Sequence, residues 1–298
     1  TYTIGICQFV QHDALDAATK GFQDYLTEQL GDRVEFSYQN ASGEKTNCTT
    51  IVSQFVASNV DLIMANATDA LVAAAAATED IPILGTSITD YATALQIDNW
   101  TGTTGMNISG TADLAPLDQQ AAMIKELCPD AKEVGILYCS AESNSKYQAD
   151  VVAEELQKLG LTSTVYTFVD TNDVQQVTQT AVDNSDVVYI PTDNTAASNT
   201  EAINNVAEAA GVPIIAGEEG ICKGCGIATL SISYYDLGRK TGEMAYDILV
   251  NGADPATMPI EYSDGLTKKA VTERCEALNI TVPEGYEAIV LEDETAAQ

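Results

Sequence analysis

The amino-acid sequence predicts an α/β protein of two doubly wound parallel-sheet lobes joined by a multi-strand hinge, and three observations carry that reading. Short runs rich in Val and Ile alternate with amphipathic stretches, the pattern of parallel strands covered on both faces by helices. Residues 66–85 (NATDALVAAAAATEDIPILG) and 193–217 (DNTAASNTEAINNVAEAAGVPIIAG) repeat one design: a polar loop, an Ala-rich helix, then an apolar strand ending at Gly. The openings of the two halves echo each other as well. IGICQ at 4–8 and VGILYCS at 134–140 each lead through a polar loop into a long helix.

Taken in order, the apolar runs predict strands at 3–7, 34–38, 62–65, 82–84, 134–138, 164–168, 187–190 and 213–216. Helices are predicted at 13–30, where Leu15, Ala18, Phe22 and Leu26 share a face, and at 48–57, where Ile51, Val52 and Phe55 do. Further helices fall at 146–159 and at 200–210, the latter stopped by Gly211. The passage 102–114 reads as a connection between the halves. The segment 227–252 reads as a strand, a crossing and a long helix that returns to the first lobe. This places residues 1–110 with 234–260 in one lobe and 111–233 with 261–298 in the other. Hinged lobes of this kind close on a ligand as rigid bodies.

At 298 residues, with 45 % hydrophobic and 19 % charged side chains, the chain suits two ordinary globular domains. No apolar run reaches the roughly 18 residues that span a bilayer. The first residue, Thr1, almost directly precedes a strand, as expected of a mature chain whose export signal has been removed. A net charge of −31 repels nucleic acid and anionic membranes. Nucleic-acid partners are therefore not expected. The seven cysteines are an odd number in mostly apolar contexts, more like small buried hydrophobes than a disulfide framework.

Enzyme motifs are missing. There is no G-x-S-x-G elbow, no phosphate loop and no dinucleotide fingerprint. His12 is the only histidine, which excludes two-histidine metal sites and leaves it a cleft contact, a solvated loop residue or a lone catalytic base. Cys222 and Cys225 form a lone C-x-x-C in a Gly-rich passage read as a turn, either free thiols or a small staple, since a structural zinc needs four ligands. No catalytic residue, metal or cofactor is expected.

Ligands of open α/β sheets bind beyond the carboxyl ends of the strands, beside helix N-termini. In the first half those loops hold Gln8, His12, Asn66, Thr68, Thr86 and Ser87; in the second they hold Ser143, Asn144, Asp193, Asn194, Glu218 and Glu219. The first set offers amides and hydroxyls and the second adds carboxylates, a division that suits a zwitterion. A ligand carboxylate is expected near Thr68, Thr86 and Ser87, and its ammonium near Asp193 and Glu219. Arg is absent from every one of these loops, which argues against phosphates, sulfates and dicarboxylates. Paired glutamates after a buried strand are harder to explain as helix caps than lone Thr, Ser or Asn. Phe9, Tyr91, Tyr234 and Tyr235 are the aromatic residues nearest these positions.

The segments QFVQHDALDAATKGF (8–22), VGILYCSAESNS (134–145), YIPTDNTAAS (189–198), AGEEGICKGCGIATLSISYYDLGRKTG (216–242) and ERCEALNITVPEGY (273–286) resemble, in order, the ABC-transporter substrate-binding proteins that include tryptophan- and tyrosine-binding lipoproteins. The resemblance implies a type I periplasmic-binding-protein fold with three interlobe crossings, an aromatic amino acid ligand and delivery to an ABC permease. It also implies a monomer at the outer face of the cytoplasmic membrane, lipid-anchored, or in the periplasm. The lipidated cysteine of such relatives is not in this sequence. By position, the resemblance favours Glu219 for the ligand amino group and Thr68 with Thr86 and Ser87 for its carboxylate. A receptor for an aliphatic amino acid or another small polar solute, a sensory ectodomain with its effector elsewhere, and an enzyme on a similar two-lobed frame are the competing readings.

Overall fold

The structure, a computed structural model, describes residues 1–291. Its strands are β1 (Tyr2–Gln8), β2 (Val34–Asn40), β3 (Leu62–Asn66), β4 (Ile83–Ile88), β5 (Ile108–Ala112), β6 (Glu133–Cys139), β7 (Thr162–Phe168), β8 (Val187–Ile190), β9 (Ile214–Ala216), β10 (Ala228–Ser231), β11 (Glu261–Tyr262), β12 (Thr267–Val271) and β13 (Glu287–Ile289). The described residues divide into two compact units, Thr1–Leu114 with Ile232–Gly265 and Ala115–Ser231 with 266–291. The chain passes from one to the other three times.

Unit 1 holds a six-stranded sheet in the order β11-β5-β4-β3-β1-β2, parallel throughout. β1, β3 and β4 are buried almost end to end, as strands covered on both faces must be. Unit 2 holds the order β13-β12-β10-β9-β8-β6-β7, in which only the β10–β12 pair is antiparallel. Helices on both faces complete separate cores, one around Phe55, Ile63 and Leu71 in unit 1 and another around Leu137, Ile190 and Ile214 in unit 2.

Several expectations change in the structure. The connection at 102–114 contains β5, whose Gly110 takes φ +142 and whose sequence ISGTA carries little apolar signal. Tyr262 pairs with Ala112 in unit 1, so residue 261 does not begin the other lobe. Helices Leu117–Leu127 and Val174–Asp183 are additional to those read from the sequence. The Cys222–Cys225 passage is a short helix, Glu219–Cys225, rather than a turn, and both thiols are free and buried.

The return of the chain to unit 1 rests on glycine. Helix Asp13–Leu30 and helix Tyr234–Asn251 pack so closely that a Cβ on Gly21 would lie 2.0 Å from the Tyr235 carbonyl oxygen, and one on Gly238 would lie 1.9 Å from that of Ala18. Around this contact Arg239 forks onto Glu28 at 2.9 and 2.7 Å, and the Tyr235 hydroxyl donates to Asp24 at 2.9 Å. The exposed ion pair adds little by itself; the backbone approach sets the geometry. Gly238→Ala is expected to cost about 2 kcal/mol or more in urea unfolding, since an inserted methyl must push two backbones apart. Gly265→Ala, with open space around it, should stay within about 0.5 kcal/mol of the parent.

Candidate functional site

At the carboxyl edge of the unit 1 sheet, polar side chains first serve the fold. Gln8 ends β1, and its Nε2 donates to Asp16 Oδ1 (2.7 Å) and the Val10 carbonyl (2.9 Å) while its Oε1 accepts from Thr19 Oγ1 (2.7 Å). Asn66 ends β3 and donates through Nδ2 to the Leu15 carbonyl (2.8 Å) and to Thr19 Oγ1 (3.0 Å). Together they lash two strand ends to helix Asp13–Leu30. Thr86 shares a hydrogen bond with Thr111 (3.2 Å), and Thr111 another with Thr241 (2.8 Å). His12 precedes the first helical residue and does not cap the helix with its side chain.

Other groups on this edge lack such partners. Ser87, in β4, is buried with φ +57, and its Oγ makes no hydrogen bond. Its strand shifts register against β5 between Gly85 and Ile88. Ala67 sits at φ +91, ψ 160, a region L residues seldom enter and one that costs about 1–3 kcal/mol. It precedes the ten-residue helix Thr68–Ala77 and offers that helix start no side-chain cap. Asn66 Oδ1 and Asp113 Oδ1 are also buried and unpartnered. Asp113 follows β5; its Oδ2 accepts from the Tyr234 hydroxyl at 2.6 Å and its carboxyl also from Thr89. Burial raises its pKa to about 6 against the opposing pull of those donors.

Unit 2 treats its carboxylates differently. Asp193 caps helix Asn194–Ala197 through the Ala196 N–H (2.7 Å) and accepts from the Cys139 N–H (2.8 Å) and Ser145 Oγ (2.6 Å). Burial, and secondarily the nearby Glu142, still push it well above the usual carboxylate range. Glu142 accepts from the N–H groups of Asn194 (3.0 Å) and Thr195 (2.9 Å), and from the side chains of Asn194 (2.8 Å) and Asn144 (3.3 Å). Glu218 is an N-cap after all, accepting from Gly220 N (2.7 Å) and from Ile221 N. Glu219 is 43 % exposed and pairs with Lys269 at 2.9 Å, while Ser143 is exposed at the start of helix Ser143–Lys158.

The structure thus gathers Gln8, Asn66, Thr68, Thr86 and Ser87 along one sheet edge, and Ser143, Asn144, Asp193, Asn194, Glu218 and Glu219 along the corresponding edge of the other unit. Asp113, Gln120, Thr229 and Ser231 escaped the sequence reading. Buried Gln120 donates to the Gly217 and Leu230 carbonyls and accepts from the Tyr189 hydroxyl. Thr229 and Ser231 in β10 keep buried hydroxyls without partners; the polar–apolar alternation of ATLS was the available signal. Phe9 and Tyr91 are core residues of unit 1, and the Tyr91 hydroxyl donates to the Thr111 carbonyl at 2.9 Å. An open cavity of about 510 Å³ lies at the opposite edge of the unit 2 sheet, among Cys128, Asp186, Pro213 and Asn279. Among the described residues, no group of His, Cys, Asp and Glu is placed to hold a metal, and no helix is long and apolar enough to cross a membrane.

Comparison with known proteins places this geometry in context. The family described as ABC transporter substrate binding protein matches residues 3–291. A tyrosine-binding protein of Clostridioides difficile (strain R20291) is 35 % identical over 264 residues, 88 % of this chain and 76 % of the relative. A Streptococcus pneumonia structure described as an ABC domain in complex with L-Trp superposes with a TM-score of 0.92 at 32 % identity, covering 97 % of this chain and all of that one. A ligand-free, open substrate binding protein with adhesive properties from Clostridium difficile gives 0.74 at 34 %, over 98 % and 100 % of the two chains.

Glu218→Ala should lower stability in urea unfolding by about 1–2 kcal/mol, the value of a lost N-cap. Glu219→Ala, whose ion pair is only half-buried, should lower it by no more than about 1 kcal/mol.

Proposed function

The chain belongs to the family of ABC transporter substrate-binding proteins, and on that premise we propose that its ligand is an aromatic amino acid, bound without chemical change and handed to a membrane permease. The observation that carries the proposal is the row of buried, unpartnered polar atoms at the carboxyl edge of unit 1: Asn66 Oδ1, Ser87 Oγ and Asp113 Oδ1. A buried polar group left unmade costs about 1–3 kcal/mol, and nearly all such groups in folded proteins have a partner. A ligand with its own donors and acceptors supplies those partners.

The donors suit a carboxylate. Ser87 offers a hydroxyl, and helix Thr68–Ala77 presents an N-terminus uncapped by any side chain, where backbone N–H groups and the helix dipole favour an anion. Strain at Ala67 and Ser87 fits a pre-organised binding loop. No arginine stands among these residues, so a single carboxylate matches better than a phosphate. The aromatic character of the ligand draws its support from the relatives that bind tyrosine and L-Trp. Function at the outer face of the cytoplasmic membrane, with a lipid anchor, and as a monomer, is part of the same reading.

Thermal unfolding across the twenty amino acids and common sugars tests it. L-Tyrosine, L-tryptophan or L-phenylalanine at a thousandfold excess over Kd should add about 4 kcal/mol of stability. Ser87→Ala should weaken that ligand about 10- to 100-fold, the loss of one buried hydrogen bond. A response to sugars alone, or recovery of a chemically altered amino acid, would overturn the proposal.

A further inference from the structure

We propose that Asp113 recognises the ammonium group of the ligand, and that it separates amino acids from carboxylic acids of the same shape; this rests on the amino acid reading above. Asp113 is 5 % exposed. Its Oδ2 is held by Tyr234 at 2.6 Å and Thr89 also donates to the carboxyl, Oδ1 has no hydrogen-bond partner, and its backbone N–H is fixed on the Ile88 carbonyl at 3.0 Å. Among the described residues no ion pair includes it. A carboxylate so placed lacks one strong donor, and a positively charged donor answers both its lone pairs and its charge.

The position is right for an α-amino acid. Ile88 pairs with Ala112 across β4 and β5, so Ser87 and Asp113 stand one residue to either side of that pair on neighbouring strands. Neighbouring strands lie about 4.8 Å apart and rise about 3.3 Å per residue, so this two-residue stagger sets the two backbones roughly 8 Å apart, a gap that the carboxyl and amino groups on one Cα can bridge with a hydrogen bond at each end. The other acidic candidates are already answered. Glu219 has Lys269 at 2.9 Å, Asp193 accepts three hydrogen bonds from its own unit, and both oxygens of Glu218 cap a helix. Burial raises the pKa of Asp113 to about 6, so an arriving ammonium meets the carboxylate above that pH and must displace a proton, at growing cost, below it.

Calorimetric titration of the parent, Asp113→Asn and Glu219→Gln with L-tyrosine and L-tryptophan, and with 3-(4-hydroxyphenyl)propionate and indole-3-propionate as their deamino counterparts, tests the assignment. The parent should prefer each amino acid to its counterpart by about 100-fold or more, the effect of a charged hydrogen bond in a buried site. Asp113→Asn should erase that preference by weakening the amino acid alone, while Glu219→Gln leaves it within about threefold. A measurement on the parent needs no variant to fold. Amino acid affinity should fall as the pH drops from 7 through about 6 towards 5, and the counterpart should not follow. Tyr91 and Tyr234 are the other titratable side chains against Asp113, both phenols that are ordinarily neutral below about pH 9. Preference kept by a folded Asp113→Asn, preference lost only in Glu219→Gln, or identical pH dependence for both ligands would each overturn the assignment. A parent that binds neither amino acid would instead overturn the amino acid reading itself.

Discussion

Two helices that lie far apart in sequence, Asp13–Leu30 and Tyr234–Asn251, meet with backbone against backbone, and the architecture of unit 1 depends on that approach. Gly21 and Gly238 leave no room for a methyl between them. The returning helix covers one face of the unit 1 sheet, where Met244, Ala245 and Ile248 join Ile4, Ile6, Leu62, Met64 and Leu84 in a single core. Without it those strand residues would face water, and Thr111 would lose its bond to Thr241. The sheet edge that carries Ser87 and Asp113 is therefore built by residues from both ends of the chain.

The two units leave their open polar atoms in different places: unit 2 leaves them in β10, at Thr229 and Ser231, while its loop carboxylates are answered. In unit 2, Glu142, Asp193 and Glu218 collect N–H groups and hydroxyls from their own loops, so buried negative charge is spread over many fixed dipoles. In unit 1, Gln8 and Thr19 are saturated while Asn66 keeps an acceptor open and Ser87 a hydroxyl. A fold that satisfies the neighbours of these atoms and leaves the atoms themselves open is pre-organised for something outside the chain.

Much of the fold was legible in the sequence because burial enforces periodicity. The boundaries of helices Asp13–Leu30 and Thr200–Ala210 coincide with their apolar patterns, as do those of strand Val187–Ile190. Elements with weak apolar signal were not legible. β5 (ISGTA) and β12 (TKKAV) are half polar or small, and GICKGC takes a helix because Glu218 caps it and Arg274 gathers the carbonyls of Cys222, Lys223, Gly224 and Gly226 at its far end. Tertiary partners of that kind override local propensity. At the site, the loops were found by topology, but roles within them were not. The capping role of Glu218 is invisible until the backbone is seen, and Asp113 belongs to no motif, its distinguishing feature being a buried oxygen without a partner.

The glycine contact between the first helix and the returning one also sets an order of events during folding. Asp24 and Tyr235, which touch beside that contact, are 211 residues apart in sequence. The core of unit 1 is complete only when helix Tyr234–Asn251 is in place, so its loop-closure entropy is repaid late. Until then Ile4, Ile6, Leu62, Met64 and Leu84 lack the cover of that helix, and strands left uncovered in this way favour aggregation.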